Sequence, residues 1–184
     1  MSRRATVRPT MAEVTCSLPG DDLVAPADVV MDRAFDLSAP PRVVWPWLVQ
    51  LGKRRAGWYL PESVERVLPR RRRALRGIDP ALQVHEVGDV IPDWGGKDAT
   101  FTLAAIEPEE LLLYTSTRGR SDLTWSVNLD AATGCGTGSR VHLRLRVAPV
   151  KHRRVTCLVG GGFDQVTVAG LAAGLEERVA GQVR

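Results

Sequence analysis

Side chains able to carry acid–base chemistry gather once in this 184-residue chain, at His85, Glu86, Asp89 and Asp93. Read as part of a strand, His85 and Glu86 point to opposite faces, so they cannot act as a local acid–base pair. Asp89 follows Gly88 and reads as a turn or bulge residue. No Gly-x-Ser-x-Gly elbow and no His-Glu-x-x-His helix occurs, which excludes the motif-bearing serine and zinc hydrolases. Cys16, Cys135 and Cys157 form no Cys-x-x-Cys pair, and His85, His142 and His152 stand at no zinc-ligand spacing from them. Neither a disulfide framework nor a metal or other cofactor is expected. Should the fold enclose an acid or base, Arg33, Glu86 and Tyr114 are the first candidates; whether a reaction follows is left open.

A second concentration is aromatic. Residues 43–60 hold three of the five tryptophans and one of the two tyrosines. Trp47, Trp58 and Tyr59 either line an apolar ligand pocket or pack a core between short helices and a sheet. Two glycine-rich stretches look like phosphate loops but lack the context. A strand, not a helix, follows Gly134, Gly136 and Gly138, so that stretch reads as a hairpin loop. Gly160, Gly161 and Gly162 precede a helix, but without a Walker lysine they read as a hinge rather than an anion site.

The elements that must position these residues follow from period. Residues 1–26 show no sustained pattern and read as a flexible or loosely docked extension, leaving 27–184 as one domain. From Val29 an alternating strand begins, with Arg33 as the one charge on its apolar row. That arginine is at a strand end, snorkelling, or inside a cavity. Pro40 and Pro41 start a helix whose face is Val44, Trp47, Leu48 and Leu51; Pro46 should kink it and Gly52 end it. Residues 61–68 read as a second short helix. Beyond residue 80 come strands at 84–91, 100–106, 111–115 and 123–129. The clearest strand alternates Val141, Leu143, Leu145 and Val147 with His142, Arg144 and Arg146, whose side is expected to face solvent. A last stripe through Phe163, Val166, Gly170, Leu171, Gly174, Leu175 and Val179 has helical spacing. Its glycines leave room that backbone approach or a cavity must fill. The fold class is α+β: a curved antiparallel sheet of six to seven strands, two short helices after the first strand, and a long C-terminal helix on the sheet.

Composition narrows function further. The formal charge is +4, yet Arg70, Arg71, Arg72, Arg73 and Arg76 alone supply five positive charges. The rest is close to neutral, which argues against a general nucleic-acid partner. The run reads as a charged, solvated loop, with anionic lipid or phosphate as its alternative partners. Arg3 and Arg4 precede no apolar signal region, and the longest apolar run, at 43–49, is too short to span a bilayer. A cytoplasmic protein is expected.

The phrase Ala39-Pro40-Pro41-x-x-Val44-Trp45-Pro46-Trp47-Leu48-Val49-Gln50-x-Gly52-x-x-Arg55-Ala56-Gly57-Trp58-Tyr59 resembles the SRPBCC superfamily, the START-like, polyketide-cyclase-like helix-grip proteins, and most of all its actinobacterial-type members. Gly88-Asp89-x-Ile91-Pro92, Glu107-Pro108 before Leu111, and Thr124-Trp125 before Leu129 are similar to the same group. The resemblance spans roughly residues 28–180. It departs at Leu60-Pro61-Glu62 and at the glycines before the last helix. It implies a sheet gripping the C-terminal helix around an apolar cavity that takes a lipid- or polyketide-like molecule. The residues expected at that ligand are Trp47, Gln50, Arg55, Trp58, Tyr59, Phe101, Tyr114, Trp125 and Phe163, with Arg33 and Glu86 as polar groups. A cyclase- or dehydratase-like enzyme on the same cavity and an interaction module acting through the arginine run are the alternatives.

Overall fold

Period-2 alternation in the second half of the chain becomes one open sheet. The computed structural model describes residues 7–132, 137–151 and 161–182, the last range with side chains from 165 onward. Its strands are β1 (Val29–Leu37), β2 (Val90–Pro92), β3 (Thr100–Glu107), β4 (Leu111–Arg118), β5 (Ser121–Ala131) and β6 (Ser139–Ala148). They form a six-stranded antiparallel sheet in the order β1-β6-β5-β4-β3-β2. The helices are α1 (Met11–Thr15), α2 (Pro41–Gln50), α3 (Glu62–Glu65) and α4 (Gly161–Ala180). This is the expected α+β arrangement, with α4 packed on the sheet. Ala131 lies opposite Ser139, so β5 and β6 are a hairpin; most of its glycine-rich loop, with Cys135, and also His152, Cys157 and Gly160, lies outside the described residues.

The concave face carries the core. Phe35, Leu103, Leu112, Val127, Leu129 and Val141 meet Val44, Trp47 and Leu48 from α2 and Leu171, Leu175 and Val179 from α4. Helix α2 starts on Pro41, where a missing N–H costs little, and continues through Pro46 to Gln50. Gly52, at φ 144°, then opens a tight loop that closes by pairing with Gly57.

The two glycines on α4 resolve how the space on its inner face is filled. A Cβ on Gly174 would stand 2.5–2.7 Å from the backbone of Leu60, and one on Gly170 would meet only the Leu60 side chain. The glycines therefore admit a neighbouring backbone; the space there is filled.

Two expectations are corrected. The strand predicted at 84–91 is confined to Val90–Pro92. Residues before it form a turn: the Asp89 carboxylate accepts the Glu86 N–H at 2.9 Å, and Gly88 sits at φ 99°. A carboxylate that captures its own turn outcompetes ladder pairing, and Val84, Val87 and Val90 are left exposed. His85, by contrast, is buried. Its Nδ1 meets Asp89 at 2.9 Å and its Nε2 meets the Tyr114 hydroxyl at 3.1 Å.

The second correction concerns the outward face of β6, which is not wet. His142 is 3% exposed, and its Nε2 lies 2.8 Å from Asp32 Oδ1. Arg144 donates to Asp32, Asp21 and the carbonyls of Glu13, Val14 and Cys16. Arg140 grips Glu13, and Arg146 reaches the Val24 carbonyl. The stretch read as a flexible extension supplies these partners from residue 8 onward, and helix α1 within it is closed by a Thr10–Glu13 capping box. The alternation of polar residues marked a polar interface, because guanidinium groups find carboxylates and free carbonyls there. Burial works to raise the Asp32 carboxyl, but hydrogen bonds from His142 and Arg144 outweigh it and hold it below its ordinary value. Arg140 lowers Glu13 to about 2.

Two measurements test this packing. Gly174→Ala should cost about 1–3 kcal/mol, because backbone cannot yield as a side chain can. Gly170→Ala should cost much less, and denaturant titration of both variants separates them. Burial also lowers the His85 pKa. The unfolded chain therefore takes up a proton on His85 near pH 6.5 that the folded chain still refuses. Its stabilising contribution is complete above that pH and is lost below it. Thermal melts should show Tm falling between about pH 7 and 5.5, and His85→Gln should flatten that slope.

Candidate functional site

The sheet is covered unevenly. Toward its C-terminal end α4 seats Leu171, Leu175 and Val179 on the concave face; nearer its start, among the described side chains from residue 165 onward, Val168 reaches the core. The facing ends of β1, β5 and β6 present Met31, Leu123, Leu143 and Leu145. Between them and the loops at 52–58 and 92–94 lies a cavity of about 200 Å³.

Its walls are mostly aromatic and aliphatic, with Trp58, Trp94, Phe101 and Trp125 among them. Trp58 is fixed to α4 by its indole N–H, which donates to the Thr167 carbonyl at 3.1 Å. Trp94 meets Trp58 edge-on at 5.8 Å and is 51% exposed, so it stands at the mouth. Three charged side chains reach the cavity among the described residues: Arg33, Arg118 and Asp93. Arg33, half-buried, lines the cavity and donates to the Asp32 carbonyl at 2.7 Å. The Arg118 guanidinium pairs with Asp93 and lies 5.0 Å above the Phe101 ring. A Cβ on Gly95 would meet the Arg118 guanidinium and the Asp93 carboxylate, so the ion pair as it stands would have to shift. Lys53 adds a bond to the Asp93 carbonyl at 2.7 Å.

The structure brings together some of the expected residues and separates others. Trp58, Phe101, Trp125 and Arg33 converge on the cavity. Tyr114 stands directly behind, stacked on Trp125 at 5.6 Å with its hydroxyl turned to His85. Burial raises its pKa far above the ordinary phenol value, so it stays protonated. Trp47 and Tyr59 are fully buried in the core, where the Tyr59 hydroxyl donates to the Trp47 carbonyl at 2.9 Å. Gln50, also fully buried, ties down the following loop: it donates to the Gly77 carbonyl and accepts from the Asp79 N–H. Arg55 braces the same region through the Val49 and Leu82 carbonyls. Glu86 is exposed on its turn, away from the cavity. The Phe163 side chain lies outside the described residues.

Sequence reasoning missed Arg118, Asp93 and Trp94 as site residues. Arg118 had a signal, since it shares strand parity with Tyr114 on β4, and alternation puts both on the concave side. Asp93 had one as a member of the acid–base cluster at 85–93, but nothing in the spacing turned it or Trp94 toward a cavity.

No protein-family model matches the chain, and no curated protein matches it. Among solved structures it is similar to CalU16 from Micromonospora echinospora, at 15% identity over 83% of this chain and 82% of that one, with a TM-score of 0.47. A second is protein CV1439 from Chromobacterium violaceum, at 21% identity over 82% and 99%, with a TM-score of 0.48. A third is DynU16, a protein of the dynemicin biosynthetic locus, at 14% identity with a TM-score of 0.50. It covers 84% of this chain, which spans about half of DynU16 at 48%. The likeness to DynU16 is one of fold.

Proposed function

We propose that this chain is a cytoplasmic helix-grip protein of the SRPBCC kind that binds an apolar, lipid- or polyketide-like small molecule between sheet and α4. The observation that carries the reading is the aromatic-walled cavity itself, left open where a packed core would have closed it. At about 200 Å³ it is smaller than the roughly 300–1,000 Å³ of sites for drug-sized ligands. The occupant is accordingly compact, or it extends past Trp94 into solvent. Arg118 lines the same cavity, and an acceptor oxygen on an otherwise apolar ligand frame would suit its guanidinium. The same fold in a protein from a biosynthetic locus is in line with such a ligand.

Catalysis of a cyclisation or dehydration on this cavity is the weaker reading. It needs a free acid or base facing the ligand, whereas the cavity's carboxylate, Asp93, is held in its ion pair with Arg118, and the neutral, buried pair His85 and Tyr114 stands behind the wall formed by Phe101 and Trp125.

Native mass spectrometry of the protein purified from its own host should show a co-purifying mass. Titration with the apolar fluorophore 1-anilinonaphthalene-8-sulfonate gives a second readout. Val168→Phe, which fills the cavity, and Trp58→Ala, which removes a wall, should each weaken binding by at least about tenfold, equivalent to 1.4 kcal/mol. Unchanged binding in both variants would overturn the assignment of the site.

A further inference from the structure

The arginine run takes no part in the cavity, and its surroundings are specific. Three large apolar side chains are exposed on the segment that carries it: Val64, Val67 and Leu75, with Val67 82% exposed. Arg73 folds the run back on this segment, donating from Nε to the Leu68 carbonyl at 3.0 Å and from Nη2 to the Arg66 carbonyl at 2.9 Å. Arg70, Arg71 and Arg72 form a 3-10 turn that begins three residues after Val67 in the chain.

Nearby carboxylates are already engaged. Glu62 pairs with Arg66, Glu65 with Arg76 and Arg178, and Glu177 with Arg76. Among the described residues none pairs with Arg70, Arg71 or Arg72. The patch thus combines three uncompensated guanidinium groups with a protruding valine. It is mounted rigidly, because Arg76 ties its far end to the buried Glu65 at 2.8 Å.

We infer that this patch docks on an anionic lipid surface, with Val67 entering the interfacial layer and Arg70, Arg71 and Arg72 facing lipid phosphates and carboxylates. A phosphate backbone would satisfy the arginines equally well, but it would leave Val67 against a charged surface, and no aromatic side chain in the patch could stack on a base. A bilayer satisfies both halves, since apolar burial and charge attraction add at its interface. The contact is peripheral: among the described residues no helix is long and apolar enough to cross a membrane.

Each basic residue near such a surface strengthens partitioning about fivefold, so three together give roughly a hundredfold. Sedimentation with phosphatidylcholine vesicles, with and without phosphatidylserine, tests this on the full chain. The protein should bind only the phosphatidylserine vesicles, and added salt should release it. Replacing Arg70, Arg71 and Arg72 together by serine should lower binding about a hundredfold, whereas replacing them by lysine should preserve it. Val67→Ser should lower it roughly fivefold. All four positions are exposed, so the thermal melts of these variants should match the parent and exclude misfolding as the cause. Failure to bind phosphatidylserine vesicles, or equal binding by the serine variant, overturns the inference. So does tight binding to double-stranded DNA that is indifferent to Val67→Ser, which would make the partner a nucleic acid.

Discussion

A buried charge ties helix α4 to the segment at 59–76. The Arg178 side chain on α4 is 1% exposed, and an uncompensated guanidinium at that depth would cost several kcal/mol. Its donors are matched in full view of the neighbouring segment: Nε to the Leu75 carbonyl, Nη1 to the Leu60 and Gly174 carbonyls, and Nη2 to Glu65. Its plane lies 4.6 Å over the Tyr59 ring. Burial works to raise Glu65, but hydrogen bonds from Arg178 and Arg76 outweigh it and keep the carboxyl below its ordinary 4.5. The arrangement is possible only because Gly174 lets the Leu60 backbone approach the helix. Residues 59–76 and α4 consequently form one unit. Trp58, at the start of that segment, has its position dictated by the same contact.

That unit decides where the sheet is sealed and where it is open. Arg178 and the glycines close the space around the C-terminal half of α4, so the remaining void lies toward its beginning, near Val168. The opposite face of the sheet is covered as well. There Asp32, His142 and Arg144 make a buried polar layer under residues 8–24, so the sheet is packed from both sides. Removing one member would strand charges on the others, which makes the layer cooperative and the strands hard to bend.

Much of this could be read in the residues, and the failures have a common cause. Alternation located β1, β3, β4, β5 and β6, and helical spacing located α2 and α4, because each of those elements buries one regular face. Residues 84–89 misled because a local carboxylate competed with the ladder. His142 misled because a polar row reports that its surroundings are polar, and says nothing about whether they are water or protein. The aromatic cluster divided in the same way. Trp58 and Trp47 are both large and apolar, but only position relative to the Arg178 contact sends one to the cavity and the other to the core. Sequence spacing carries no information about a contact between residues 60 and 174.

The mouth of the cavity is placed at the weakest part of the sheet. Strand β2 is an edge strand that pairs over three residues only, and the loop after it carries both Asp93 and Trp94. The loop is held by one backbone bond, from the Asp93 N–H to the Ala99 carbonyl at 2.7 Å, and by side-chain contacts: Asp93 on Arg118, the Lys53 ammonium on the Asp93 carbonyl, and Trp94 on Trp58. None of these contacts belongs to the Arg178 unit or to the polar layer beneath the sheet. A ligand oxygen arriving at Arg118 would replace what Asp93 gives up, so the exchange leaves no unpaired guanidinium inside. The contacts at this edge are thus separate from those that hold α4 on the sheet and residues 8–24 beneath it.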